Sequence, residues 1–440
     1  MNSEFTVSAL ADIRNLNIDE ADVRAHVIRP RHVLGIVSSK GLEDIVGRPE
    51  FQFTFAFDAL YRFHAAGFGN ALHAVLKDQV AGYVMQLRQH GSTIYTREWQ
   101  WSKTPLDGSK AWTPGIRMHV ASCSKFITAI AMTKLLNDKQ MSYDTPIVGF
   151  LPTYWGKGPN IDRITFRHLM THRSGFNNGD KSDSDFAFMK DRVSNGVSSI
   201  GGYKYENMNF GLCRILISTI LGTISPGVTF NIPFSSNDAL WDYVTITSYV
   251  QYVRNSVFTP AGISGPTLDQ PIPDALAYSS PVVGHGWDSG DLTAVSGGVG
   301  WHMSPDDLLA IMGTFRRRGT IMSPGQAQLM LDDGFGIDVQ MPTPLGTFYS
   351  KSGFWSLEGK QVEQSLLYFL PLDMELVVLA NSPIGSPAKF FPEIVTNAYM
   401  SNIYSGLSLR QFLQRSGLPI SSSVHALIAP DRSVRRMLVG

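Results

Sequence analysis

The chain has 440 residues, with 37 Lys+Arg balanced by 37 Asp+Glu, 43% hydrophobic residues and 17% charged ones. That balance excludes a disordered chain, which needs low hydrophobicity and high net charge, and it leaves no basic field with which to hold nucleic acid. Two cysteines, Cys123 and Cys213, are too few for a disulfide framework or a Cys-rich zinc site, so no metal or other cofactor is expected.

The length suggests two to three structural units. The start, Met1-Asn2-Ser3-Glu4-Phe5-Thr6, lacks the basic and apolar regions of a secretory signal, so a cytoplasmic location is expected. Residues 1–67 read as an N-terminal extension. Its alternating Phe51, Phe53, Phe55 and Phe57 suit a strand with one buried face, or a surface through which the chain forms a homo-oligomer. A helical pattern follows near Ala71–Val80. Two strand-like runs, Gly82–Leu87 and Thr93–Thr96, flank the turn His90-Gly91-Ser92.

Ser122–Leu136 reads as a helix, with apolar Phe126, Ile127, Ile130 and Ala131. Residues 141–290 are rich in Gly, Pro, Asn and Ser, with helical islands at 165–171 and 208–221; they read as an inserted, mainly helical domain. The uncharged stretch Ile215–Asn237 is broken by Gly222, Pro226, Asn231 and Pro233, so no membrane span is expected. A helix over Pro305–Arg316 precedes strands at Gly334–Val339, Thr347–Ser350, Leu366–Leu370 and Leu376–Leu379, and a helix near Pro387–Tyr404 closes the unit. Residues 68–140 and 291–405 are therefore expected to build one sheet domain, with 406–440 as a C-terminal tail.

The sharpest chemical signal is Ser122-Cys123-Ser124-Lys125. A hydroxyl and an amine three positions apart on a helix share a face. In a partly desolvated site the lysine pKa falls, and a neutral amine can take the serine proton. At a helix start the Ser122 N–H is also free to bind an oxyanion. Alone, Ser-x-x-Lys is weak, and a capped helix with a solvated lysine explains it equally well.

Two further pieces shift that balance: Tyr205-Glu206-Asn207 just before the helical run Met208–Leu221, and Lys351-Ser352-Gly353 amid β-prone sequence. Together they resemble the Ser-x-x-Lys, Tyr-x-Asn, Lys-[Ser/Thr]-Gly order of the serine β-lactamase and penicillin-binding protein superfamily, with the tyrosine of its class C type. The likeness extends through LLNDKQMSYDTPIVGFLP (135–152), ITFRHLMTHRSGF (164–176) and YENMNFGL (205–212), where Phe210 replaces the usual Tyr. It continues through Pro260-Ala261-Gly262-Ile263, Ser296-Gly297-Gly298 and Ser304–Leu308, and covers roughly residues 70–405.

The resemblance implies an α/β (α+β) fold of the β-lactamase/transpeptidase type, an antiparallel sheet flanked by helices with an inserted helical domain. It also implies that Ser122 is the acylated nucleophile and that Lys125 and Tyr205 activate it and move protons, with cations near the phenol. Asn207 would bind substrate or hold Lys125, and Lys351 would attract a substrate carboxylate or tune Tyr205. Ser352, Gly353 and Phe354 would line the substrate site, with the oxyanion bound by the N–H groups of Ser122 and Phe354.

Other signals carry less. His168 and His172 have zincin-like spacing, but Leu169 stands where the glutamate base belongs, so structural histidines are expected. Gly262-Ile263-Ser264-Gly265-Pro266 fails as a nucleophile elbow at its fifth position. Cys123 reads as a small packing residue. Within the superfamily the expected activity is that of a carboxylesterase on small acyl esters, with weak β-lactam turnover. A D-amino-acid amidase or peptidase, or a β-lactamase, is the alternative, and a non-catalytic scaffold is the alternative of another class. Lys351 favours a carboxylate-bearing substrate, whereas Phe354-Trp355 suggest an apolar pocket. The partner in every catalytic reading is a small-molecule ester, amide or lactam.

Overall fold

The structure, a computed structural model, describes residues 2–5, 53–56, 61–179, 183–231, 235–271 and 274–405. Contacts divide the chain into two units. One comprises 1–64, 343–346 and 399–440, and the other 65–342 and 347–398. In the first, strand Asn2–Phe5 pairs antiparallel with Phe53–Ala56, and Tyr61–Phe63 pairs with Ile403–Ser405. Phe51 and Phe57 of the aromatic run, and the tail 406–440, lie outside the described residues.

The second unit is organised by a seven-stranded sheet. Its order is Lys110–Ala111, Ser92–Lys103, Gly82–Gln89, Met374–Ala380, Gln361–Leu370, Gly346–Leu357 and Val339–Thr343. Strands from the two ends of the chain meet at its centre, where Leu87 pairs with Leu376 and Met85 with Val378. Both central strands are buried along nearly their whole length, because helices cover both faces. On one face Phe126, from the helix Ser124–Asp138, packs on Phe369 at 5.3 Å between ring centroids. On the other, Tyr368 Oη donates to the Pro392 carbonyl in the helix Phe391–Ser401. Alternation of side chains along Gln361–Leu370 sends neighbouring rings to opposite helices.

The middle of the chain holds helices Phe186–Asn195, Met208–Leu221 and Asn237–Val253. The last was not apparent in the sequence. Its buried face is Trp241, Thr245, Ser248, Tyr249 and Val253, a helical stripe made partly of Ser and Thr. The strand expected at Gly334–Val339 is a turn instead. Gly334 and Gly336 adopt φ of 76° and 69°, which no extended strand allows, and pairing begins only at Asp338, whose N–H donates to the Ser350 carbonyl at 2.9 Å. The helix expected near Ala71–Val80 runs earlier, over Ala65–Leu76.

Helix Met208–Leu221 is fixed by Arg214, which is fully buried. Its guanidinium donates to the Ala294 carbonyl at 2.9 Å and to Asp242 Oδ1 at 2.8 Å. Removing one partner of a buried pair leaves the other uncompensated. Arg214→Ala is therefore expected to cost on the order of 3 kcal/mol, read as a lower urea midpoint at unchanged m-value.

Candidate active site

Ser122 lies in a single 3₁₀ turn, Ala121–Cys123, leading into the helix Ser124–Asp138. Ala121 before it has φ of 47°, a left-handed conformation that costs an L-residue about 1 kcal/mol or more and that collects at functional sites. The turn leaves Ser122 partly exposed between fully buried neighbours on either side. Cys123 points inward. Its thiol donates to the Lys351 carbonyl at 3.5 Å and lies 3.2 Å from Ser365 Oγ, and burial pushes its pKa up to about 12.

One turn further on, Lys125 is completely buried. Its Nζ lies 2.9 Å from Ser122 Oγ, 2.6 Å from Asn207 Oδ1 and 2.8 Å from the Gly298 carbonyl. Burial, reinforced by the positive charge of Lys351, lowers its pKa well below the usual lysine value. A neutral amine fits these contacts: its two N–H bonds would go to the two oxygens that can only accept, leaving the lone pair toward the Ser122 hydroxyl.

Tyr205 covers the pair. Its ring lies 4.9 Å from Lys125 Nζ and 5.4 Å from Lys351 Nζ, and it stacks on His172 with centroids 4.3 Å apart. Both lysines expected beside the phenol are present, and Lys351 is the one held charged. Burial nevertheless outweighs the opposing pull of Lys351 and of the Ser122 hydrogen bond, so the Tyr205 pKa is raised and the resting group is a phenol. His172, whose signal in the sequence was only its place in the 164–176 block, is the floor of the site. Its Nδ1 accepts from the Glu206 N–H at 3.2 Å and lies 3.2 Å from Asn209 Nδ2, while burial and then Lys125 depress its pKa. His168 instead closes a capping box with Thr165.

The strand Gly346–Leu357 forms the facing wall. Gly353 is required there: a Cβ would lie 2.3 Å from the Val120 carbonyl and 3.1 Å from the Ser122 N. Lys351, 2% exposed, donates to both Asp338 oxygens at 2.8 and 2.9 Å and to the Ser352 carbonyl at 2.8 Å. Asp338 is the residue that the sequence did not reveal.

The expected apolar pocket is divided between the two faces of the sheet. Phe354 pairs with Gln364 and shares its face, where it borders a cavity of about 300 Å³ with Val362, Leu366, Ile384 and Phe390. Ser365, opposite Gly353, donates to the Val120 carbonyl and so marks the other face, the one carrying Ser122. Trp355 lies on the Ser122 side and meets His119 edge-on at 5.5 Å.

Behind this wall lies a buried ionisable network. His119 Nδ1 contacts Glu363 Oε2 at 3.0 Å, and its Nε2 accepts from the Gly300 N–H at 3.1 Å. His302 and Ser289 complete it. The loop 297–301 is thereby laced to the residues around Ser122. Thr128 donates to the Gly297 carbonyl, Lys125 to that of Gly298 and Val120 to that of Trp301, whose N–H goes to Ser124 Oγ.

A buried lysine with a partly exposed serine and tyrosine beside it, on an antiparallel sheet flanked by helices, is an arrangement of the class of serine enzymes with the β-lactamase/transpeptidase fold. Residues 66–226 match the family described as Beta-lactamase. Over 157 residues the chain is 25% identical to a Bacillus subtilis (strain 168) protein named as the penicillin-binding protein PbpX. That match takes in 34% of this chain and 32% of the relative, about a third of each. Among solved structures, a class C β-lactamase from Rhodobacter sphaeroides superposes with a TM-score of 0.55 at 16% identity, covering 77% of this chain and 99% of that one. The D-amino acid amidase of Ochrobactrum anthropi SV3 gives 0.54 at 18% identity, covering 75% and 98%. Residues 66–226 thus resemble the Beta-lactamase family, and the fold is the one that serine β-lactamases and penicillin-binding proteins share. Among the described residues no helix is long and apolar enough to cross a membrane, and no group of three or more His, Cys, Asp or Glu is placed to hold a metal ion.

Burial raises the Glu363 pKa from about 4.5 to about 8, so in that window the folded chain keeps a proton that the unfolded chain releases. Folded stability therefore falls as pH rises through the window. Glu363→Gln does not titrate. Its melting temperature, measured against wild type by calorimetry, should gain steadily from about pH 5 to about pH 8.

Proposed function

We propose that the protein is a serine hydrolase that acts through an acyl-enzyme on Ser122, with small acyl esters as its substrates. The observation that carries this reading is the 2.9 Å contact between Ser122 Oγ and a buried, proton-poor Lys125. The Lys125 amine takes the Ser122 proton as Oγ attacks the ester carbonyl. The oxyanion is bound by the N–H groups of Ser122 and Phe354, with Gly353 allowing close approach of the acyl group. The Tyr205 phenol, beside both lysines, passes a proton to the departing alcohol. Water then deacylates the enzyme by the same groups in reverse order. Asn207 keeps Lys125 in place through its 2.6 Å contact.

An amidase or peptidase reading finds support in the likeness to the D-amino acid amidase, and shares every step up to the leaving group. A non-catalytic scaffold would have no use for a neutral lysine held on a serine hydroxyl.

Ser122→Ala should abolish turnover of p-nitrophenyl esters and the mass increment of the acylated protein. Retention of more than a trace of either removes Ser122 as nucleophile. The Ser122 hydroxyl caps no helix, so the fold survives the change.

Lys125→Ala and Tyr205→Phe should each slow acylation by ~10²–10⁴-fold, the usual contribution of a positioned acid–base group. In pre-steady-state kinetics the double variant should lose far less than the product of the single losses, because one relay is broken either way. Multiplicative losses would assign the two residues to different steps.

A further inference from the structure

By the superfamily resemblance Lys351 would attract a substrate carboxylate or tune Tyr205, and Ser352 beside it would line the substrate site. In this chain both already hold a carboxylate. The Lys351 ammonium has three N–H donors, and all are engaged: two by Asp338 at 2.8 and 2.9 Å, the third by the Ser352 carbonyl at 2.8 Å. Asp338 Oδ2 also accepts from the Ser352 N–H at 2.8 Å and from the Ser352 hydroxyl at 2.7 Å. Asp338 thus makes the contacts that an incoming carboxylate would need, and it does so from within the protein.

The fold holds it there. The turn through Gly334 and Gly336 delivers Asp338 to the start of the edge strand, where its own N–H is fixed to the Ser350 carbonyl. With its side chain 20% exposed, it also presents negative charge to anything approaching Lys351. An anionic substrate meets a like charge and finds no free donor on the ammonium. A neutral ester meets neither obstacle, and Lys351 remains close enough to Tyr205 to act on the phenol through space.

We infer that Asp338 is a specificity-determining residue: a built-in carboxylate seated on Lys351 and Ser352 that selects esters lacking a carboxylate on the leaving group. This rests on the hydrolase reading above and narrows its substrate class.

The test compares acyl esters of 3-hydroxybenzoate, whose leaving group carries a carboxylate, with the same acyl esters of methyl 3-hydroxybenzoate. Wild type should favour the methyl esters. Asp338→Asn keeps the side chain's shape and removes its charge, and should raise kcat/KM for the carboxylate ester relative to the neutral one by roughly 10- to 100-fold, the worth of a charged hydrogen bond. An unchanged ratio in a folded, active Asp338→Asn enzyme overturns the inference. Asp338→Ser makes the same comparison if the asparagine variant does not fold.

Binding is measured separately from turnover. In a Ser122→Ala background, calorimetric titration with the 3-hydroxybenzoate ester should show roughly 10- to 100-fold tighter binding when Asp338→Asn is added. Equal binding with and without that change also overturns the inference. Inactivity of wild type toward every ester would refute the hydrolase reading alone, because this titration still decides the role of Asp338.

Discussion

The site depends on one buried amine. A lysine with no access to water is stable only if it sheds its proton or finds a counter-charge, and Lys125 has no carboxylate among its three contacts. The surroundings supply carbonyl oxygens in its place, from Asn207 and Gly298, and a second cation at Lys351 that opposes protonation further. The same choice dictates what surrounds it. Loop 297–301 must be held against the helix to present Gly298, and the hydrogen bonds that Thr128 and Val120 give to it, with the one that the Gly300 N–H gives to His119, do this. Asn207 must open the helix Met208–Leu221 facing Lys125, and buried Arg214, two turns further on, anchors that helix.

The two active-site lysines resolve the same problem in opposite ways. Lys351 is almost as buried as Lys125, yet it is kept charged, its pKa raised by Asp338 against the effect of burial. One amine becomes a proton acceptor, the other a fixed positive charge. Tyr205 lies between them, and its phenol is biased by burial toward the protonated state in which it can donate.

Much of this site was legible in the sequence because its parts are local. Ser122 and Lys125 share a helical face by spacing alone, Tyr205 and Asn207 flank a helix start, and Lys351-Ser352-Gly353 is contiguous. Asp338 escaped because its meaning comes from a contact thirteen residues distant, across the hairpin formed by Val339–Thr343 and Gly346–Leu357. Glu363 escaped for the opposite reason. A lone charge in a strand reads as a solvent-facing position, and only the pairing with Trp355 and the contact with His119 show it to be internal. Helix Asn237–Val253 was obscured by Thr and Ser on its buried face, where Thr245 satisfies its hydroxyl on the Trp241 carbonyl and Ser248 on Thr223 Oγ1, so that both pass as core residues.

The central pairing of Gly82–Gln89 with Met374–Ala380 also sets a timetable for the molecule's birth on the ribosome. The first strand emerges roughly 290 residues before its partner, an interval of about 15 to 60 s at usual elongation rates. Until then the hairpin Gly82–Lys103 has a long, apolar, unpaired edge, which is a template for wrong pairing with other chains. Lys351 and Gly353 arrive late as well, so Ser122 and Lys125 have no facing wall while most of the polypeptide is being made. Over those roughly 290 residues of synthesis the nascent chain therefore has neither a completed site nor the strand that covers its hairpin's edge.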